Sequence, residues 1–158
     1  MSWGNLARRI HNVGIVGCSA LLVVCAQLAA AQEMWLVTPE EAALAPAPED
    51  SLIRSRGLTS KGPRIDVLKP ASDAPQQSPI EILIHFHPKS APVRLESVKV
   101  QLVKFISIDI TDRVKPYLSE TGIEMKEAKI PSGAYLVRIS VADEKGESST
   151  RELELEVK

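Results

Sequence analysis

From Gly62 to Val157 the apolar residues fall at every second position, and this period constrains the chain more than any other feature. In "PIEILIHFHP", Ile80, Ile82, Ile84 and Phe86 share one side, while Glu81, Leu83, His85 and His87 share the other. The same alternation sets Ile65, Val67 and Pro70 together in "RIDVLKP", and Val98, Val100 and Leu102 in "ESVKVQLVKF". It also groups Ile106, Ile108 and Ile110 in "ISIDITDRV", Tyr135, Val137, Ile139 and Val141 in "AYLVRISVAD", and Leu153, Leu155 and Val157 in "STRELELEVK". "GIEMKEAKI" repeats it more weakly. Strict alternation describes a strand with one face buried and one face in water. Turn-forming residues separate the runs: Pro70 to Pro79, "HPKSAPV", Pro131–Gly133, and "DEKGE" at Asp143–Glu147, where Gly146 suits a positive φ. About seven short strands at roughly ten-residue spacing predict an all-β, antiparallel sandwich over residues 62–158.

The first 31 residues stand apart. Arg8 and Arg9 precede an uncharged apolar run from Val13 to Ala30, which closes on "LAAAQ" with Ala29 and Ala31 placed as an A-x-A cleavage site. This is the pattern of a secretory signal peptide cut after Ala31, and it places the mature chain in the periplasm or outside the cell. Two other readings concern the membrane. The run is near the roughly 18 residues that span a bilayer, so an uncleaved anchor is one alternative. Lipidation is the other. "IVGC" ends at Cys18 behind a short, polar stretch, and "LVVC" ends at Cys25 with a bulky Val24, so neither fits a lipobox well.

Both cysteines, Cys18 and Cys25, lie in this signal. The mature chain then has no disulfide, thiol nucleophile or thiolate metal site, and an apolar core must hold it together. Removing Arg8 and Arg9 leaves 17 basic and 20 acidic residues, a net charge of about −3. No basic stripe runs along the chain and aromatics make up 4% of it, which argues against nucleic acid and against a base-stacking surface.

Residues 32–61 read as a linker. Thr38, Pro39 and Glu41 form a helix-start signature, and Pro46 and Pro48 end the short helix expected near 39–45. Just before it lies an apolar group, Met34, Trp35, Leu36 and Val37, a candidate docking motif for a protein partner in the cell envelope.

The last two runs carry a resemblance. "IPSGAYLVRISVADEKGESSTRELELEV" resembles the end of a bacterial immunoglobulin-like or fibronectin type III-like module, with Gly133, Tyr135, Asp143, Gly146 and Val157 in the matching places. The resemblance is clearest over 130–158 and extends through the strand pattern over 62–158. It implies an immunoglobulin-like sandwich serving as an exported spacer, adhesion or docking module, with no enzymatic activity. A cysteine pair and a core tryptophan, the antibody hallmarks, are absent.

Few residues suggest chemistry. His85 and His87 are two apart on a strand, so both imidazoles face one side and could share a copper or zinc ion, although a site needs three or four ligands. "HFHPKSAPV" also has a superficial likeness to the His-x-His of periplasmic copper carriers, where it is terminal and not internal. Asp109–Asp112 and Asp143-Glu144 offer oxygen donors, for calcium or for turn hydrogen bonds. There is no G-x-S-x-G, P-loop or H-E-x-x-H motif, and short loops give a substrate pocket few walls. The expectation is an exported, non-enzymatic, protein-binding or accessory module without a cofactor, with a metal carrier using His85 and His87 as the alternative.

Overall fold

The structure, a computed structural model, describes residues 35–48, 60–71 and 74–158. The expected signal peptide and Met34 lie outside these residues.

Eight strands alternate between two layers. β1 (Arg64–Lys69) and β2 (Ile80–His87) form a hairpin in the first layer. The chain then crosses to the second layer for β3 (Val93–Val103) and β4 (Ser107–Asp109). A short helix, α2 (Thr111–Val114), and a 3-10 turn at Lys115–Tyr117 lead back to β5 (Leu118–Ser119) and β6 (Gly122–Ala128). β7 (Gly133–Asp143) and β8 (Ser148–Val157) complete the second layer as a long hairpin. The sheets have the orders β1-β2-β6-β5 and β4-β3-β7-β8, and every strand pair is antiparallel. Lettering the strands A, B, C, C′, D, E, F and G gives ABED against C′CFG, the order of an immunoglobulin-type sandwich. The expected all-β sandwich is what the chain forms, with eight strands where about seven were expected.

The period of two explains most of the burial. Ile80, Ile84 and Phe86 are buried from β2, and Ile82 packs against them partly covered. Val98, Val100 and Leu102 face them from β3, Ile139 and Val141 from β7, and Leu155 and Val157 from β8. Bulges explain where the alternation slips. In β1, Ile65 is buried, Val67 partly covered and Leu68 51% exposed; the register shift between Val67 and Lys69 then changes the parity, leaving Lys69 exposed and burying Pro70 just past the strand. β6 sets Met125 opposite Ile82 but Ala128 opposite Ile80, so three residues span two of its partner. That extra residue is why "GIEMKEAKI" reads as a weak strand.

Tyr135 locks the passage from β6 to β7. Its ring is buried at the start of β7, and its hydroxyl donates to the Pro131 carbonyl at 2.8 Å, four residues upstream. This is a tyrosine corner, on the strand and at the bend where immunoglobulin sandwiches carry one. Gly133 lies beneath the ring at φ +148°, and a Cβ there would come within 3.2 Å of the Tyr135 hydroxyl. At the opposite end, Asp143 closes the β7–β8 hairpin. Its Oδ1 accepts from the backbone N–H groups of Lys145 and Glu147, and Gly146 adopts φ +84° as the turn requires.

Two expectations need correction. Ile106 does not join Ile108 and Ile110 on an inward face. It is 67% exposed at the β3–β4 turn, Ile108 is half-buried on the three-residue β4, and Ile110 is buried just before α2. Nor do residues 35–47 behave as a free linker. Leu36 and Val37 are buried in the sandwich core, where their apolar side chains are removed from water.

The corner makes a clean stability test. Tyr135→Phe keeps the ring and removes one hydrogen bond, and it should lower unfolding free energy by about 1 kcal/mol. Urea titration followed by circular dichroism should show a lower midpoint at unchanged slope. A midpoint unaffected by the change would show that the hydroxyl contributes nothing.

Candidate functional site

The segment before the sandwich forms a strap across one end of it. Trp35, half-buried, pairs with Lys129 just past β6, and the Leu36 N–H donates to the Lys129 carbonyl at 3.0 Å. Thr38 then caps α1 (Pro39–Ala42). Its hydroxyl accepts from the Glu41 N–H at 3.3 Å, while Glu41 Oε2 accepts from the Thr38 N–H at 2.9 Å. This capping box is the one the sequence predicts, although the helix stops at Ala42. Beyond it, the Ala45 carbonyl accepts from the Phe105 N–H at 2.9 Å, and Pro46 pairs with Lys104 at the end of β3.

Two cations pin the strap. The Arg113 guanidinium grips Glu41 with both arms, at 2.6 and 2.7 Å, and also donates to the Leu36 carbonyl at 2.9 Å. Glu41 is largely covered, and these Arg113 hydrogen bonds hold its carboxyl below the usual 4.5, outweighing the opposing effect of burial. Arg113 is correspondingly raised, chiefly by its hydrogen bonds to Glu41. Lys104, buried, donates to the Ala42 carbonyl at 3.3 Å and lies 4.9 Å from the centre of the Tyr135 ring. Burial lowers its pKa.

The strap leaves part of its own surface in water. Leu44 is 43% exposed, and the adjoining β3–β4 turn projects Phe105 at 70% and Ile106 at 67%. The Phe105–Ala45 hydrogen bond joins the backbone of the strap to that of the turn. Period-two reasoning missed the exposure of Phe105 and Ile106. The signal is present in "LVKFI", where apolar residues at 102, 103, 105 and 106 break the alternation just as the strand ends. Of the expected docking motif, Met34 lies outside the described residues, Trp35 is half-buried, and Leu36 and Val37 are used internally.

The histidine pair occupies the outer face of the first sheet, as expected. The His85 and His87 rings are 6.3 Å apart and near-perpendicular. Cross-strand register sets Asp66 of β1 opposite His85, and Asp66 Oδ2 lies 3.2 Å from His87 Nε2. The same oxygen accepts from Arg64 at 2.7 Å, so a cation already occupies the carboxylate. No group of three or more histidine, cysteine or acidic side chains suited to a metal occurs among the described residues. Asp109 and Asp143 each commit one oxygen to local backbone: Asp109 Oδ1 accepts from the Thr111 N–H at 2.9 Å, and Asp143 Oδ1 from its hairpin amides. Between the sheets lies an apolar void of about 30 Å³, far below the size of a ligand pocket.

Two outcomes follow. Since the folded Glu41 carboxyl titrates below its unfolded value of 4.5, the pair's contribution is complete above about pH 5 and is lost as pH falls through the lowered native value. The protection factors of the Leu36 and Ala42 amides, with the pH dependence of intrinsic exchange divided out, should therefore fall on acidification. Glu41→Gln should show low protection already at neutral pH with little further change; an acid response identical to wild type would assign the effect elsewhere. For the histidines, wild type and His85→Ala/His87→Ala should carry equally little copper and zinc after growth in both metals, by elemental analysis. A stoichiometric ion lost in the double variant would establish the site.

No family model, curated protein or solved structure matches the chain.

Proposed function

We propose that this chain is an exported, non-enzymatic immunoglobulin-like module that acts as a protein-binding or accessory subunit of the cell envelope. The signal-peptide pattern of residues 1–31 supports export, to the periplasm or beyond. The observation that carries the binding role is the ABED/C′CFG strand order closed by the Tyr135 corner. It is a scaffold whose useful surfaces are sheet faces, edges and end loops, where partners dock without a pocket. Its outer faces are tiled with charge pairs: Lys69–Glu81 and Arg64–Asp66 on the first sheet, Arg138–Glu152 and Lys99–Asp109 on the second. Arg138–Glu152 is partly covered, but the other three pairs are exposed and add little stability, so their arrangement is free to serve complementarity with a charged partner surface.

A photo-crosslinking amino acid placed at Lys99 on the second sheet or at Glu124 on the first tests this reading in the native envelope. One protein captured reciprocally and stoichiometrically from one face supports it. No stoichiometric product from either face, or catalytic turnover by the purified protein that a single loop substitution abolishes, would overturn it.

A further inference from the structure

An antiparallel strand bonds its neighbour through every second residue, so the residues between turn their N–H and C=O groups the other way. The register of β8 with β7 runs unbroken from Ser148 to Val157. The Ser148 carbonyl accepts from the Gly62 N–H at 3.1 Å and the Glu156 carbonyl from the Gln76 N–H at 2.8 Å, both on the side away from β7. The even-numbered residues of β8 therefore turn their backbone groups outward. Between these two anchors, the outward N–H and C=O groups of Thr150, Glu152 and Glu154 have no partner among the described residues. The open stretch is about the length of an ordinary strand. The other sheet edges are blunted: β5 has two residues, β4 has three, and β1 is bulged between Val67 and Lys69.

The side chains of this edge define what fits it. Glu152, Glu154 and Glu156 follow one another along the outer face of β8. Glu152 is bonded to Arg138, while the carboxylates of Glu154 and Glu156 have no ion pair among the described residues. Beside them is a groove of about 430 Å³, lined by their cross-strand neighbours Leu136 and Ala134, which suits the stem of a long side chain. Lys104, also at the groove, is committed to the Ala42 carbonyl and the Tyr135 ring. A second copy of the chain is a poor occupant, because two β8 edges paired about Glu154 would set Glu152 opposite Glu156.

We infer that β8 receives an extended segment of a partner protein as a fifth strand of the four-stranded second sheet, with lysine or arginine at alternate positions beside Glu154 and Glu156. The inference rests on the protein-binding reading and assigns it a surface and a partner chemistry. Main-chain bonds to the free edge supply affinity, and the alternate side chains supply selection. The charge that keeps copies of the chain apart is also the charge that chooses the partner.

The test follows amide exchange in the exported chain as the cell processes it, with and without a soluble peptide that alternates lysine and threonine and matches β8 in length. Without peptide, the outward amides of Thr150, Glu152 and Glu154 should exchange unprotected. With it they should gain about tenfold protection, while the amides of Arg151 and Leu153, which face β7, stay as they were. The same peptide methylated at its lysine backbone nitrogens keeps the charge, loses the donors that face β8 and should protect nothing. Glu154→Lys/Glu156→Lys alters only exposed side chains and should leave the melting temperature unchanged while weakening peptide binding about tenfold. Equal protection by both peptides, or undiminished binding to the double variant, overturns the inference. So does protection of the outward amides before peptide is added, whether by residues 49–59 or by a second copy. No protection by the peptide, with a partner still captured from Lys99 or Glu124, overturns it and leaves the protein-binding reading standing; with no capture from either face, both fall.

Discussion

Leu102, Ile110, Ile130, Ile139 and Val141 meet between the two sheets, each essentially without access to water. Everything else depends on this apolar layer, because no covalent link supports it: the chain's two cysteines are Cys18 and Cys25, outside the sandwich. A domain of this size relies on the close packing of such a layer for a net stability of only a few kcal/mol. An open end of the layer is therefore costly, and the strap answers that cost. Leu36 and Val37 close the gap, and polar contacts fix the backbone that carries them.

The strap also joins the two sheets. It pairs with Lys129 past β6 on one side and with Lys104 past β3 on the other, and its helix is gripped by Arg113 from α2. Tyr135 is the centre of this end. Its hydroxyl holds the β6–β7 bend, and its ring faces the Lys104 ammonium that in turn holds α1. Fold and strap are thus coupled through one aromatic side chain. A segment stabilised by partly exposed charge contacts is more responsive to conditions than the core it covers.

How far the sequence could be read varied with the distance over which each signal acts. The inward set of β2 and those of β3, β7 and β8 were legible because alternation is a local consequence of strand geometry. The Thr38–Glu41 capping box was legible for the same reason, spanning three residues. The tyrosine corner was visible only as Tyr135 in a recognisable place; its bond to Pro131 requires the bend to exist. Illegible were the contacts between segments far apart in the chain. Arg113 and Glu41 are separated by 72 residues and Lys104 and Ala42 by 62, with no periodicity linking them. The Phe105-Ile106 turn was misread because an apolar residue at the right parity looks inward until the strand is known to have ended.

By itself, the sequence determined that this chain forms a two-layer antiparallel sandwich and which face of each long strand turns inward, since both follow from residue types at spacings of two. It also confined His85 and His87 to an outer face. Tertiary structure alone decided that Leu36 and Val37 belong to the core and not to a free docking motif, that Asp66 is shared between Arg64 and His87, and that Leu44, Phe105 and Ile106 are left exposed. Each of these depends on where separate segments meet when the sheets close, a matter of packing geometry that no local pattern of residues encodes.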